Sequence, residues 1–439
     1  MAARKLALAY LAGAVLVGLA TRAQAAPLQW GVDLGVEHSD NIRLTPTDET
    51  AATALVPSLL VAWQDQGARY RGALAGSFSY YHYLQGDIGN QWLGDASGKL
   101  DWLLLPGRLY WAFEDYVGEE PVDVLQASTP ENTQRSNVFV TGPTVSFRLG
   151  AATELQTDLR YINSTANKTD LFNTDRGQAA VHLLHDVSPL TKLSLNVSGQ
   201  DVRFREDALK PDDYRRYDAF GGYEYDGPRL HLKAAAGASK INFDDGRDFH
   251  KPYAQALGTF TLTPRGELTF ELDNRLYDAA EDLMARAPDP ARFFDPLGGV
   301  SMRTTTISPD VYMDKEAQLG SAWRGSRLEV RFGGYWRKQE FLTLTNFDQR
   351  SYGPSLNVLY ALTPATSLSA FATRDVTRYT TSDREDHLGY YGVTLGHQLA
   401  QHWSVGVGYS RRRQTSTDPS QEYTENRVLL TLSYRPAGV

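Results

Sequence analysis

The residues best suited to bind or select a solute are charged side chains at alternate positions of short segments. Between Glu267 and Arg275, acidic and basic residues at odd positions alternate with Leu268 and Leu272. Side chains of a β-strand point to opposite faces in turn, so such a strand has one charged and one apolar face. Charged rings tune selectivity in pores, and mixed signs suit hydroxyl-rich solutes such as sugars. We predict nine lumen-lining residues: Arg160, Lys233, Glu267, Glu271, Asp273, Arg275, Glu329, Arg331 and Arg337. The alternative is a solvated wall whose charges only pair across strands.

Catalytic chemistry has little support in the sequence. It contains no Gly-x-Ser-x-Gly, no His-Glu-x-x-His, no Walker loop and no EF-hand pattern. His182 and His185 are three positions apart, which in a strand places them on opposite faces and disfavours metal binding. Ser194 and Asn196 with a distant histidine could form a hydrolytic site, but polar lumens supply such pairs by chance. We expect no enzyme, no metal and no cofactor.

Short turn signals recur along the chain and indicate which elements carry these side chains. Their middle residues are 37 to 44 positions apart, with one gap of 61. Two alternating segments separated by a longer polar loop lie between consecutive turns. The turns are at 65–67, 105–107, 149–151, 188–190, 226–228, 263–265, 324–326, 363–365 and 400–402.

Short turns that alternate with long loops are typical of outer-membrane barrels, whose turns are periplasmic and whose loops are extracellular. We predict an all-β protein, a single antiparallel up-and-down transmembrane β-barrel of about 20 strands (18–20) over residues 26–439. A propeller has a similar period but packs four short strands into it, whereas two long segments occur here. A propeller or another secreted soluble β-protein is the alternative.

The N-terminus predicts export. Arg4 and Lys5 precede an apolar run from Leu6 to Ala20, and Ala23-Gln24-Ala25 follows as a small-x-small cleavage site. We predict a cleaved signal peptide over residues 1–25, the alternative being a helical anchor. The chain has no cysteine and a net charge of -8, which disfavours a nucleic-acid partner. We therefore expect the outer membrane of a Gram-negative bacterium, with outer-membrane lipid as a partner.

Tryptophan positions support this interpretation. Six of the eight tryptophans lie near a short turn or near the start of the first predicted strand. Tryptophan and tyrosine favour the membrane–water interface, so these residues would form the periplasmic girdle. They are Trp30, Trp63, Trp102, Trp111, Trp323 and Trp403.

The gap of 61 residues holds one insertion, at about 278–309. It could stand outside as a surface loop with a short helix over 279–287, or fold inward and narrow the lumen. Phe293, Phe294 and Leu297 form an apolar patch that would be poorly placed in open water. We predict that the insertion folds inward and gates the pore. The candidate constriction residues are Glu281, Asp282, Arg286, Phe293 and Phe294.

One short segment near the N-terminus resembles a known family. The segment "HSDNIRLTPTDE" (His38–Glu49) follows an alternating strand and precedes Pro57-Ser58-Leu59. It is similar to β-barrel porins of exopolysaccharide operons, including EpsL-like proteins and barrels associated with the PEP-CTERM sorting system. The resemblance implies an outer-membrane barrel encoded near polysaccharide synthesis and export genes, and no catalytic residues. The alternative is that Ser-Asp-Asn only begins a loop.

These observations predict a porin-like barrel for polysaccharide or other polar solutes. Its partners would be polysaccharide and other exopolysaccharide export components. The alternative is a structural or surface-interaction barrel with a plugged lumen and no transport role.

Overall fold

The computed structural model describes residues 28–295 and 307–436, which form a barrel of 20 antiparallel strands. The predicted signal peptide lies outside the described residues. The strands are β1 (Gln29–Ser39), β2 (Ala52–Gln66), β3 (Tyr70–Tyr83), β4 (Gln91–Leu105), β5 (Leu109–Pro121), β6 (Thr133–Arg148), β7 (Thr153–Ala166), β8 (Thr174–Ser188), β9 (Thr191–Phe204), β10 (Tyr214–Asp226), β11 (Leu230–Phe243), β12 (Asp248–Thr263), β13 (Gly266–Tyr277), β14 (Tyr312–Arg324), β15 (Leu328–Phe341), β16 (Gln349–Thr363), β17 (Thr366–Tyr379), β18 (Glu385–Gln398), β19 (Trp403–Ser416) and β20 (Tyr423–Tyr434).

Helices are short and lie between the strands. The α-helix α1 spans Ala279–Ala285, and 3-10 turns span Asp207–Asp212, Thr345–Phe347 and Pro419–Gln421. No helix among the described residues is long and apolar enough to cross a bilayer.

Each strand pairs with the next, and the first strand pairs with the last. The closing pairs run from Val32 opposite Tyr434 to Ser39 opposite Arg427. Closure leaves no free sheet edge. The predicted fold class, a single up-and-down barrel of about 20 strands, is therefore confirmed.

All nine predicted turns lie where one strand reverses into the next, at what we call the turn end of the barrel. At one of them Gly107 has a φ of 69°, a left-handed conformation that glycine adopts without a Cβ clash. The opposite, loop end carries the longer connections. All strands except the 11-residue β1 have 12 to 16 residues, more than the roughly 9–11 needed to cross a membrane, so the strands extend into polar segments that resemble loops in the sequence. For example, the polar residues Glu119 and Glu120 still pair with β6, so the connection between β5 and β6 spans only 122–132.

The two faces of the wall differ as the alternation predicts. On β15, Phe332 is 58% exposed and faces outward, whereas Arg337, at an odd position, is 4% exposed. The register places Asp273, Glu316 and Arg337 side by side on the inner face. The outside is therefore apolar and the lumen polar, as expected of a barrel in lipid.

Aromatic side chains mark both ends of the apolar outer face. The six tryptophans predicted for the girdle all have outward register positions near the turn end. Trp30 and Trp403 pack on Tyr434 at the closing seam, with ring centroids 5.8 and 5.0 Å away. Trp336 and Tyr352 are exposed on the same face toward the loop end. These two levels bracket the band that meets the hydrocarbon.

The assignment of the faces is testable with one substitution on each. Leu272→Arg should destabilise the barrel by about 2–4 kcal/mol because it places a charge in lipid. Leu272 is 50% exposed on the outer face. Thr269→Arg should cost much less, because Thr269 lines a cavity of the polar lumen. The measurement is the free energy of unfolding in lipid vesicles. Equal losses for the two variants would contradict this assignment of the faces, and a larger loss for Thr269→Arg would mean that the faces are reversed.

Candidate functional site: an insertion inside the lumen

The insertion between β13 and β14 enters the barrel directly after Tyr277. Asp278 caps α1, and its side chain accepts hydrogen bonds from the backbone N–H groups of Ala280 (2.9 Å) and Glu281 (3.1 Å). Ala280 and Leu283 are buried and belong to one apolar cluster with wall residues Val138 and Ile162. The helix therefore lies against the inner face of β5–β7.

Two acidic residues of the insertion pair with arginines of the wall near the loop end. The carboxylate of Asp278 lies 2.5 Å from Arg176 and accepts a 2.6 Å hydrogen bond from the Tyr214 hydroxyl. Glu281 lies 2.8 Å from Arg216. Burial acts to raise the pKa of Asp278, but Arg176 and Tyr214 hold it below its ordinary value. Burial raises the pKa of Glu281, and Arg216 opposes that shift only partly.

A third anchor is centred on Arg337 of β15. Its guanidinium lies 3.2 Å from Asp282 of the insertion and 2.8 Å from Asp314 of β14. Glu316 is 3.7 Å away. All four side chains are 3 to 5% exposed. Three buried carboxylates therefore share the Arg337 guanidinium, and loss of that side chain would leave a cluster of buried negative charges.

Two further arginines extend this network. Arg286 of the insertion lies 2.8 Å from Glu120 and 3.6 Å from Asp282. Arg275 lies 2.9 Å from Asp273. Acidic side chains still outnumber basic ones around a cavity of about 280 Å³ beside α1. Its charged lining residues are Glu271, Asp273, Asp282, Arg286, Asp314 and Glu316.

Beyond α1 the chain descends toward the turn end. Ser97 of β4 donates a 2.5 Å hydrogen bond to the carbonyl of Pro288. Asp295 lies 2.5 Å from Arg331, near the turn end of β15. The Phe294 ring lies 5.9 Å from the guanidinium of Arg435, which follows the last strand. Residues 278–295 therefore run through the lumen from the loop end almost to the turn end.

The predicted constriction residues all lie on this path. Glu281, Asp282 and Arg286 contact wall charges of opposite sign. Phe293 and Phe294 are half-buried and pack edge to face at 5.3 Å. Leu297, which the sequence groups with them, lies outside the described residues.

The nine predicted lumen residues all have inward register positions but differ in their contacts. Arg331 and Arg337 bind the insertion, and Asp273 and Arg275 pair beside it. Among the described residues, the other five contact only the wall. Three of them form ion pairs: Arg160 lies 3.1 Å from Asp158, Lys233 lies 3.0 Å from Glu224, and Glu329 lies 3.0 Å from Arg331. Glu267 and Glu271 lie opposite Ala322 and Gln318 in the register of β13 and β14. The Lys233 side chain is 68% exposed, so the lumen is open to water near the turn end.

Several anchors were not predicted from the sequence: Glu120, Arg176, Arg216, Asp278, Asp314 and Glu316. Strand alternation already places Arg216 beside Asp218 on one face. Asp278 with Glu281 three residues later is a helix-start pattern. Those signals could have identified some of the residues but not their partners.

The side chains considered for catalysis form a different arrangement. His182 lies in the lumen, 3.0 Å from Asp158 and 2.7 Å from the amide oxygen of Asn196, and Asn196 donates to Ser194 at 2.9 Å. Asn196 thus separates the imidazole from the hydroxyl, so no base is hydrogen-bonded to Ser194. His185 faces outward beside Thr153, opposite to His182. Within 28–295 and 307–436, no three acidic or histidine side chains are arranged to hold a metal ion.

Loops also meet across the mouth at the loop end. Arg384, before β18, donates a 2.6 Å hydrogen bond to the carbonyl of Leu125 in the β5–β6 connection. Gln421, before β20, donates to Gln126 at 3.2 Å. The strands that carry these loops lie on different sides of the barrel, so the mouth is partly covered above the insertion.

The sequence matches no protein-family model and no curated protein. Solved structures of similar strand arrangement include the siderophore receptor PirA from Pseudomonas aeruginosa, with a TM-score of 0.45, 11% identity and coverage of 94% of this chain and 81% of that chain. The copper transporter OprC has a TM-score of 0.44, 10% identity and coverage of 94% and 81%. The ferric citrate transporter FecA, unliganded, has a TM-score of 0.42, 11% identity and coverage of 94% and 79%.

The closed wall, the apolar outer band between two aromatic levels and the polar lumen define an integral β-barrel of the Gram-negative outer membrane.

Proposed function

We propose that the barrel passes polar, hydroxyl-rich solutes across the outer membrane and that the insertion gates the path. The observation that carries this proposal is that charged side chains hold the insertion to the wall at successive levels. Such contacts can exchange for water or for a solute with many hydrogen-bonding groups. Barrels of 16–18 strands leave aqueous channels, and those of 22 strands enclose a plugged lumen, so 20 strands give ample width for a removable segment.

The lumen chemistry favours sugars over a polyanion. Both signs of charge line the wall, and the narrow region around Arg337 has an excess of carboxylates. Such a region repels anions, whereas neutral hydroxyls find donors and acceptors at every level. Polysaccharide is therefore the proposed cargo class. Exopolysaccharide export components are the proposed partners, on the strength of the family resemblance near His38.

Uptake into proteoliposomes tests the proposal. We expect a neutral oligosaccharide to enter vesicles containing the barrel faster than a carboxylated oligosaccharide of equal length. Glu271→Gln should reduce this preference, because it removes a carboxylate from the narrow cavity. Glu224→Gln is the control, since Glu224 lies toward the turn end beside Lys233.

A plugged structural barrel gives a different result. Neither oligosaccharide would then enter vesicles above the rate of protein-free vesicles, even after the anchors of the insertion are neutralised. That result would reject passage and favour a structural or surface-interaction role.

A further inference from the structure

A row of basic side chains crosses the outer face at the loop end. Lys315, Lys338, Arg350 and Arg378 belong to four consecutive strands and stand directly opposite one another in the register. We call them the basic row. Like charges directly opposite on one sheet face are destabilising, so such a row needs compensation.

The protein supplies only part of that compensation. Glu340 lies 2.6 Å from both Lys315 and Lys338, and Glu385 lies 2.7 Å from Arg378. His387, 2.9 Å from Glu385, competes for the second carboxylate. Arg350 is exposed and forms no ion pair with any residue in the described ranges. The row therefore keeps a net positive charge.

A second level of cations lies two pleats below the basic row, because Arg374 is four residues from Arg378 along β17. Arg374 of β17 and Arg413 of β19 flank Gly389 of β18, which has no side chain to fill the space between them. With strands about 4.8 Å apart, their Cα atoms are about 10 Å apart. Both are exposed, and neither forms an ion pair within the described part of the chain. Two guanidinium groups across such a gap can bind one phosphate from both sides.

The position of these cations along the membrane normal indicates which part of the lipid they face. Trp336 and Tyr352 pair with each other one pleat below the basic row, about 7 Å along the strands. Because such aromatic rings mark the membrane–water interface, the basic row lies at the level of the lipid headgroups.

Barrel strands are tilted, so this interface crosses the register lines and reaches a different register position on each strand. On β18 it is marked by Tyr391, which is 47% exposed and lies two residues beyond Gly389 toward the turn end, so Arg374 and Arg413 also lie on the headgroup side of an aromatic ring. Phosphates at that level attract basic side chains.

The opposite side of the barrel lacks this excess. At the same level on β8–β10, Asp175 lies 2.8 Å from Arg205, and Asp201 lies 2.9 Å from Arg215. Arg203 contacts three carboxylates, those of Asp201, Asp213 and Asp244. Among the described residues, the outer face of β14–β19 therefore carries unpaired arginines where that of β8–β10 carries paired ones.

We propose that the outer face of β14–β19 at the loop end binds the phosphates of a phosphorylated glycolipid in the surrounding leaflet. The basic row contacts the upper phosphate, and Arg374 and Arg413 hold a second over Gly389. The acyl chains then continue along the apolar face below. The occupant is a membrane lipid because the cations border the hydrocarbon-facing band, where a soluble anion would lack any apolar contact.

Native mass spectrometry of the barrel in detergent, titrated with lipid A, tests this site. We expect Arg350→Gln/Arg374→Gln/Arg413→Gln to weaken binding about tenfold or more. The matched control, Arg205→Gln/Arg215→Gln/Lys240→Gln, removes three cations at the same height outside the site and should bind as the unaltered barrel does. Dephosphorylated lipid A should bind weakly to all three proteins.

Equal binding of lipid A and its dephosphorylated form would overturn the proposal, as would an equal loss in the control variant. Displacement of lipid A by millimolar inorganic phosphate would show a general anion site instead of a lipid site. Heat modifiability on a denaturing gel verifies that each variant is folded. If the triple variant does not fold, Arg413→Gln alone must still weaken binding, because this exposed side chain has no ion pair to lose within the described residues.

Discussion

Deleting residues 281–301 should raise the single-channel conductance of the barrel several-fold. The deletion removes most of α1, the contacts of Asp282 and Arg286 with the wall, and the Asp295–Arg331 pair near the turn end. The strands on either side pair along their whole length, from Gly266 opposite Trp323 to Tyr277 opposite Tyr312, so the wall remains closed. The measurement is ionic current in planar bilayers at fixed salt.

A charge-matched pair of variants separates gating from a simple change of lumen charge. Glu281→Gln/Asp282→Asn weakens the attachment of the insertion and should increase the frequency of open events. Glu267→Gln/Glu271→Gln removes the same charge from the wall without touching an anchor, and should change ion selectivity with little effect on opening. Conductance of the deletion variant equal to that of the intact barrel would rule out the gate.

Arg337→Met should reduce the free energy of unfolding by about 3–5 kcal/mol, because removing one partner leaves buried charges uncompensated. Three carboxylates lie within 4 Å of this guanidinium, and all are nearly inaccessible to water. Urea-induced unfolding in lipid vesicles, followed by tryptophan fluorescence, measures the loss.

Lys233→Met is the control for this variant. Lys233 also pairs across strands in the lumen, but its side chain is 68% exposed. Exposed pairs are worth about 0–1 kcal/mol, so the control should unfold almost as the intact barrel does. If Arg337→Met lowers the free energy of unfolding by less than about 1 kcal/mol, water must reach the three carboxylates and screen their charges.

Most of the wall could be predicted from the sequence because its rules are local. Alternation assigns Phe332 outward and Arg337 inward, and Pro106-Gly107 marks a reversal whatever the rest of the chain does. The strand ends were less predictable. Polar residues such as Glu119 and Glu120 resemble a loop, yet hydrogen bonding with β6 continues through them.

The anchors of the insertion depend on distances that local patterns do not encode. Asp278 meets Arg176, which is 102 positions earlier, because barrel closure brings β8 and the end of β13 to one side of the lumen. Arg286 meets Glu120 across 166 positions for the same reason. Strand alternation shows that these residues face inward, but only the register and curvature of the whole sheet determine which of them meet.

Because β13 and β14 pair along their whole length, the wall of the barrel does not depend on the insertion that fills the lumen. The insertion leaves the hairpin after Tyr277 and the hairpin resumes at Tyr312, where the two strands are already paired. Lengthening a flexible loop costs little, since each doubling adds only about 0.6 kcal/mol of closure entropy. Evolution can therefore alter the length and sequence of this segment with no change in a single strand–strand hydrogen bond. One hairpin connection thus determines what occupies the lumen, while the strand pairing of the wall stays constant.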